Sequence, residues 1–120
     1  MSERQDLRQR TKAFALRIIR LADALPRSMV GRVLGNQVLR SGTSVGAQYR
    51  EACRSRSNAE LISKFESVLQ ELDETAYWLE LLAETSIVHA ERLQPLQKEA
   101  DELTAMLVTS IKNMKSQRRR

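Results

Sequence analysis

The sequence predicts an all-α protein, an up-and-down antiparallel four-helix bundle. Apolar residues recur at alternating steps of three and four along four segments, which is the spacing of one helix face. Only 4 glycines and 2 prolines occur among 120 residues, fewer than the many turns of a β-sandwich or barrel require. Because a chain of 120 residues supports one hydrophobic core, the four segments are expected to form a single domain.

Helix starts and stops divide the chain into four helices followed by a short tail. The predicted helices span about residues 5–25, 28–54, 58–85 and 90–114. Pro26 ends the first helix, and Ser28 is a suitable N-cap for the second. The third start is the clearest, because Ser57 and Glu60 fit a capping box. Residues 116–120 are expected to form a basic, disordered tail.

Each predicted helix has one apolar face, so each must bury that face against the others. The most regular stripe lies on the third helix and comprises Ile62, Phe65, Leu69, Leu72, Ala76, Leu79 and Ala83. On the second helix the predicted core stripe includes Val30 and Val33.

Glycines cluster beside the apolar stripe of the second helix. Within an arc of about 60° lie Gly31, Gly35, Gly42 and Gly46. Each glycine inside a helix costs up to about 1 kcal/mol relative to alanine, so the cluster favours close approach by another backbone. A break in the helix near Gly42 is the alternative.

The end of the third helix is apolar around most of its circumference. Besides the core stripe, Tyr77, Trp78 and Leu81 point to other sides of this helix. Trp and Tyr are typical anchors of protein interfaces, which predicts that another subunit covers these residues. The alternative cover is the following loop, with Ile87 and Val88.

The sequence contains no recognisable catalytic motif. Cys53 is the sole cysteine and His89 the sole histidine, which excludes intrachain disulfides, cysteine zinc sites and His-pair metal sites. A Cys53–His89 nucleophilic pair would have no evident third group. No glycine-rich phosphate loop follows a strand. We therefore expect a non-enzymatic protein with no catalytic residues, no cofactor and no metal.

The sequence also predicts a cytoplasmic protein that does not enter a membrane. No apolar run approaches the roughly 20 residues that cross a bilayer. The first ten residues, MSERQDLRQR, contain no signal-peptide core.

Positive charge is concentrated in the first half of the chain. Residues 1–60 hold 12 Lys and Arg against 5 Asp and Glu, whereas residues 61–120 hold 8 against 10. On the second helix Arg32, Arg50 and Arg54 project within about 40° of one another, and Arg56 follows in the connector. Such a surface can bind phosphates without reading bases. The alternative is a solvated face whose arginines pair with carboxylates such as Glu51.

Several stretches of the sequence resemble one protein family. They are LRSGTSVGAQYREA at 39–52, RSRS at 54–57, DET at 73–75 and YWLELL at 77–82. The resemblance is to bacterial four-helix-bundle proteins encoded in intervening sequences of 23S ribosomal RNA genes, and it extends over about residues 10–115. Where this family often has Asn and Ile, the chain has Gln48 and Tyr49.

The resemblance implies an up-and-down bundle that assembles as a homopentamer. It also implies a relationship to the accessory variability determinant of diversity-generating retroelements, a basic pentamer that works with reverse transcriptase and binds nucleic acid. We therefore expect a homo-oligomer that binds RNA or DNA through Arg32, Arg50, Arg54 and Arg56, without base-specific readout. The alternative function is a protein-interaction scaffold whose basic surface binds an acidic protein partner.

Overall fold

The computed structural model describes residues 2–118, which form four α-helices. These are α1 (Glu3–Ala24), α2 (Met29–Ala52), α3 (Asn58–Glu84) and α4 (Ala90–Arg118). Each helix packs against the next, and α4 returns to α1, so the described residues make a square bundle without diagonal contacts. The molecule measures 52 × 24 × 22 Å. The predicted all-α, four-helix architecture is confirmed.

Serine side chains cap the starts of α1, α2 and α3. The Ser28 hydroxyl accepts a hydrogen bond from the backbone N–H of Gly31, and that of Ser57 accepts one from Glu60, both at 3.1 Å. The Glu60 carboxylate accepts from the backbone N–H of Arg56 at 3.1 Å. The first half of the predicted capping box at α3 is therefore formed, whereas its second half is not, because Glu60 accepts from Arg56 instead of from the N-cap residue Ser57.

Helix α2 ends at Ala52, two residues before the expected end. Ser57 caps α3 with an extended backbone, so the chain must leave the helical conformation before it reaches this residue. Arg54 donates its backbone N–H to the Glu51 carbonyl at 3.1 Å, within the turn that follows Cys53. The expectation that Arg54 projects from the second helix is therefore wrong, because Arg54 lies in the connector.

Helix α4 continues past the expected end at 114. The Lys115 ammonium lies 3.3 Å from the Glu66 carboxylate on α3, and residues 115–118 contain no helix breaker. The expected disordered tail is therefore helical up to Arg118. Its last two arginines, Arg119 and Arg120, lie outside the described residues.

The glycines of α2 lie on the side of this helix that faces α1 and, at Gly31, the connector residue Pro26, and we call this contact the glycine seam. All four are buried, namely Gly31, Gly35, Gly42 and Gly46. A Cβ built on Gly42 would lie 2.8 Å from the Cγ atoms of Ile18, and one on Gly46 would lie 3.3 Å from the Thr11 carbonyl oxygen. The predicted close approach of a second helix is confirmed, and α2 runs without a break.

The orientation of the glycines toward α1 determines which residues of α2 enter the core. Val38, Val45 and Tyr49 are fully buried, and Tyr49 stacks on Phe65 with ring centroids 5.6 Å apart. Val30, expected in the core, is 50% exposed. Val33, also expected in the core, is exposed as well. The orientation of α2 that buries its glycines turns this edge of the helix toward solvent.

A buried polar pair sets the register between α2 and α3. The hydroxyl oxygens of Ser41 and Thr75 are 2.8 Å apart, and both side chains are fully buried. Each hydroxyl also reaches a carbonyl of its own helix, Val38 for Ser41 at 3.5 Å and Glu71 for Thr75 at 2.7 Å, so a slip of one helix along the other would lose only the bond between the helices. Thr75 is therefore held at the level of Ser41 along the bundle axis.

Helices α1 and α4 touch over a smaller area than the other neighbours, and charged side chains join them. The Arg10 guanidinium donates to the Glu99 carboxylate at 2.6 Å and to Glu102 at 3.3 Å. The hydrogen bond from Arg10 holds the pKa of Glu99 below its ordinary value. Arg10 is therefore part of the scaffold rather than an available cation.

Truncation of the core stripe on α3 tests the bundle. Leu72 is 1% exposed, so Leu72→Ala is expected to lower the free energy of unfolding by about 2–5 kcal/mol. Denaturant unfolding followed by circular dichroism measures this loss, and the native spectrum should be predominantly helical. A loss below about 0.5 kcal/mol would show that this stripe is not core.

A matched pair of glycine substitutions tests the seam. Gly42→Ala should destabilise the protein by about 1–3 kcal/mol, because the new methyl group meets the buried Ile18 side chain. Gly35→Ala meets only the end of the half-buried Leu25 side chain at 3.3 Å. Its gain in helix propensity should leave stability unchanged or raise it by up to about 1 kcal/mol. Equal effects of the two substitutions would contradict a close approach at Gly42.

Candidate nucleic-acid interface

The four arginines assigned from the sequence lie in two places. Arg50 occupies the last turn of α2, and Arg54 and Arg56 follow in the connector to α3. Arg32 lies 18 residues before Arg50 on α2, which corresponds to about 27 Å along the helix axis. All four side chains are exposed, but Arg32 does not belong to the cluster formed by the other three.

Helix α1 adds two cations to the cluster that the sequence alone did not assign. Arg50 lines a groove of about 490 Å³ together with Gln5, Arg8, Gln9 and Lys12, and we call it the basic groove. Arg8 and Lys12 are four residues apart and therefore share a helix face. The glycine seam brings this face of α1 beside the end of α2.

The basic residues of the chain differ in whether carboxylates neutralise them. Arg40 contacts Glu71 at 3.3 Å and Glu74 at 2.8 Å. Glu51, the expected partner of the arginines, instead contacts Lys64 at 3.2 Å.

None of the ion pairs found between residues 2 and 118 includes a cation of the basic groove or the connector, namely Arg8, Lys12, Arg50, Arg54 and Arg56. These five cations therefore have no direct carboxylate partner in the part of the chain that the structure describes.

The end of the bundle that carries the basic groove is electropositive. Helix α1 begins there and α2 ends there, and so does α4, since Ser110 contacts Glu3 at 2.7 Å. Lys112 of α4 adds to the positive charge of this end, whereas Lys115 is paired with Glu66. We call this end the basic end. The last two of the arginines expected in the tail lie outside the described residues.

The predicted interface residues on α3 lie at the other half of the molecule. Tyr77 is 54% exposed, and its ring packs at a tilt against Trp78 with centroids 5.2 Å apart. Trp78 and Leu81 are half-buried and pack against the core. The loop residues Ile87 and Val88, expected as the alternative cover, also pack on the core. They leave Tyr77 half exposed.

The structure separates Cys53 from His89. Cys53 follows α2 at the basic end, whereas His89 is exposed in the connector between α3 and α4 at the opposite end. Cys53 instead lies beside Tyr49, whose pKa is raised mainly by burial and further by this thiol. A nucleophilic Cys53–His89 pair is therefore excluded.

Residues 2–118 lack two further features that would point to other functions. They contain no group of three or more His, Cys, Asp or Glu side chains placed to hold a metal ion. None of the four helices, as far as they are described, combines the length and the apolar character needed to span a bilayer.

Comparisons with known proteins agree with this architecture. The chain is similar to a crystal structure from Bacteroides thetaiotaomicron described as a protein with unknown function from the S23 ribosomal protein family. The two share 35% sequence identity over 92% of this chain and 99% of the other, with a TM-score of 0.87. No curated protein matches the chain. The sequence profile of the 23S rRNA-intervening sequence proteins matches residues 3–109, and the chain therefore belongs to this family.

Proposed function

We propose that the protein is a non-enzymatic homo-oligomer that binds RNA or DNA through its basic end. The observation that carries this proposal is the basic groove, where Arg8, Lys12 and Arg50 converge without a carboxylate partner. Arg54 and Arg56 extend the same surface along the connector. Phosphate oxygens are the natural ligands of such a cluster, because guanidinium groups donate two hydrogen bonds at once to an oxyanion.

The chemistry of the basic groove favours contacts to the sugar–phosphate backbone rather than to bases. Its polar neutral residues, Gln5 and Gln9, offer amide groups that hydrogen-bond to phosphate or sugar. Binding of unpaired bases relies on aromatic platforms, and no aromatic side chain lines this groove. We therefore propose sequence-independent, salt-sensitive binding.

Assembly of several copies would raise the affinity for nucleic acid above that of a single basic groove. A single groove with about three cations supports only modest affinity, because each phosphate contact is screened by salt. A ring of identical copies presents the groove several times, and simultaneous engagement raises the effective affinity without new contacts. The family resemblance gives the number five, and the exposed aromatic residue Tyr77 supports assembly independently.

Charge reversal in the basic groove tests the nucleic-acid site. Arg8→Glu combined with Lys12→Glu should weaken binding to RNA and DNA of any sequence. It should also flatten the slope of log affinity against log salt by about 0.7–0.9 for each phosphate that the groove no longer binds. Fluorescence anisotropy with labelled oligonucleotides at several salt concentrations measures both changes.

A matched control reverses two exposed cations far from the basic end, Arg20→Glu on α1 with Arg92→Glu on α4. It changes the net charge by the same amount and should leave the slope intact. A chain ending at Gln117 removes the last three arginines and measures their share. Equal weakening of binding in both double variants would show that the overall charge of the protein, and not the basic groove, accounts for binding. Failure of the unaltered protein to bind at about 50 mM salt would contradict the proposal and favour an acidic protein partner.

The oligomeric state is tested separately. Light scattering across a size-exclusion peak should give a mass of about five times the 13.7 kDa of one chain. A monomer at micromolar concentration would contradict the oligomer, and four or six copies would contradict only the number taken from the family.

A further inference from the structure

We propose that Tyr77 of one copy inserts into a groove between α1 and α2 of the next copy, so that the copies join head to tail. This inference rests on the proposed oligomer and specifies which surfaces meet. The groove, which we call the apolar groove, has a volume of about 420 Å³ and is distinct from the basic groove.

Tyr77 is suited to act as the inserted side chain. It is 54% exposed, and the half-buried Trp78 supports one side of its ring at a centroid distance of 5.2 Å. A large aromatic side chain held against a rigid neighbour loses little conformational entropy on binding.

The apolar groove is suited to receive such a side chain. Ile19 and Leu39, which are 44% and 36% exposed, form its walls, and Gly31 and Gly35 also line it. A half-exposed Ile and Leu gain by being covered with an aromatic ring. Asn36 also lines the groove and offers the phenol hydroxyl a hydrogen-bond partner.

Charges around the two surfaces are complementary. Tyr77 has Asp73 four residues before it and Glu80 three residues after it, so both exposed carboxylates flank the ring on α3. The rim of the apolar groove carries Arg27 and Arg32, which outnumber its single carboxylate. Opposite charges on the two rims favour this pairing and disfavour the pairing of either surface with its own copy.

The two surfaces also lie at the same height along the bundle. Ser41 and Thr75 are in direct contact, so Tyr77, two residues after Thr75, lies level with Leu39, two residues before Ser41. Docking therefore joins copies side by side without an axial shift, as a closed ring requires.

Disulfide trapping tests the contact. In a Cys53→Ser background, Glu80→Cys and Asn36→Cys introduce thiols one turn beyond Tyr77 and one turn beyond Leu39, toward the same end of the bundle. Under mild oxidation each single variant alone should stay uncrosslinked. An equimolar mixture, after exchange of subunits, should form a disulfide dimer, and the chain carrying both cysteines should form a ladder that ends at the ring.

Crosslinking of Glu80→Cys with itself would indicate a two-fold contact and overturn the inference. An oligomer that forms no disulfide in the mixture would also overturn it, while leaving the proposed assembly intact. A protein that is monomeric by light scattering would overturn both.

Charge exchange supplies a second readout that does not depend on thiols. Arg32→Glu and Glu80→Arg should each shift the size-exclusion peak toward the monomer, and the two together should restore the ring. Circular dichroism and thermal melting of each variant report whether the bundle is folded. Folded single variants that keep the full mass would overturn the proposed contact.

Discussion

The close approach of α1 to α2 at the glycine seam is the constraint on which the other features of this protein depend. A side chain at position 42 would meet Ile18 and one at 46 would meet the Thr11 backbone, so the seam closes only because both residues are glycine. Closure brings Arg8 and Lys12 beside Arg50 at one end of the seam. At the other end it leaves a groove partly lined by small residues. The two candidate binding surfaces are thus the two ends of one helix–helix contact.

Most of the core, the serine N-caps and the seam could be predicted from the sequence, because each depends on spacing within one helix. The register between helices could not. A helical projection places Arg54 with Arg50, but it cannot show that the capping of α3 by Ser57 ends α2 at Ala52. Val33 is assigned to the apolar stripe by its angle alone. Because the glycines must lie on the side of α2 that packs against α1, Val33 points to solvent instead.

The same limit explains which cations could not be assigned from the sequence. Arg8 and Arg10 are equivalent in composition and only two residues apart, yet α1 turns them to different neighbours. Arg10 faces α4, where Glu99 neutralises it at 2.6 Å, whereas Arg8 faces the end of α2, where no carboxylate pairs with it. The signal available in the sequence was the four-residue spacing of Arg8 and Lys12, which places both on one face of α1. This face can be assigned to a binding site only when the helix beside it is known.

The two proposed activities occupy different halves of the seam, and this separation bears on how they can coexist. The apolar groove centres near Asn36 and the basic groove near Arg50, about 21 Å apart along α2. Copies that dock side by side at one height keep their axes parallel, so every basic end points the same way. Assembly through Tyr77 would therefore leave all the basic grooves uncovered and gather them on one face of the ring. A polyanion lying across that face could touch several copies at once, which an arrangement of antiparallel pairs would not permit.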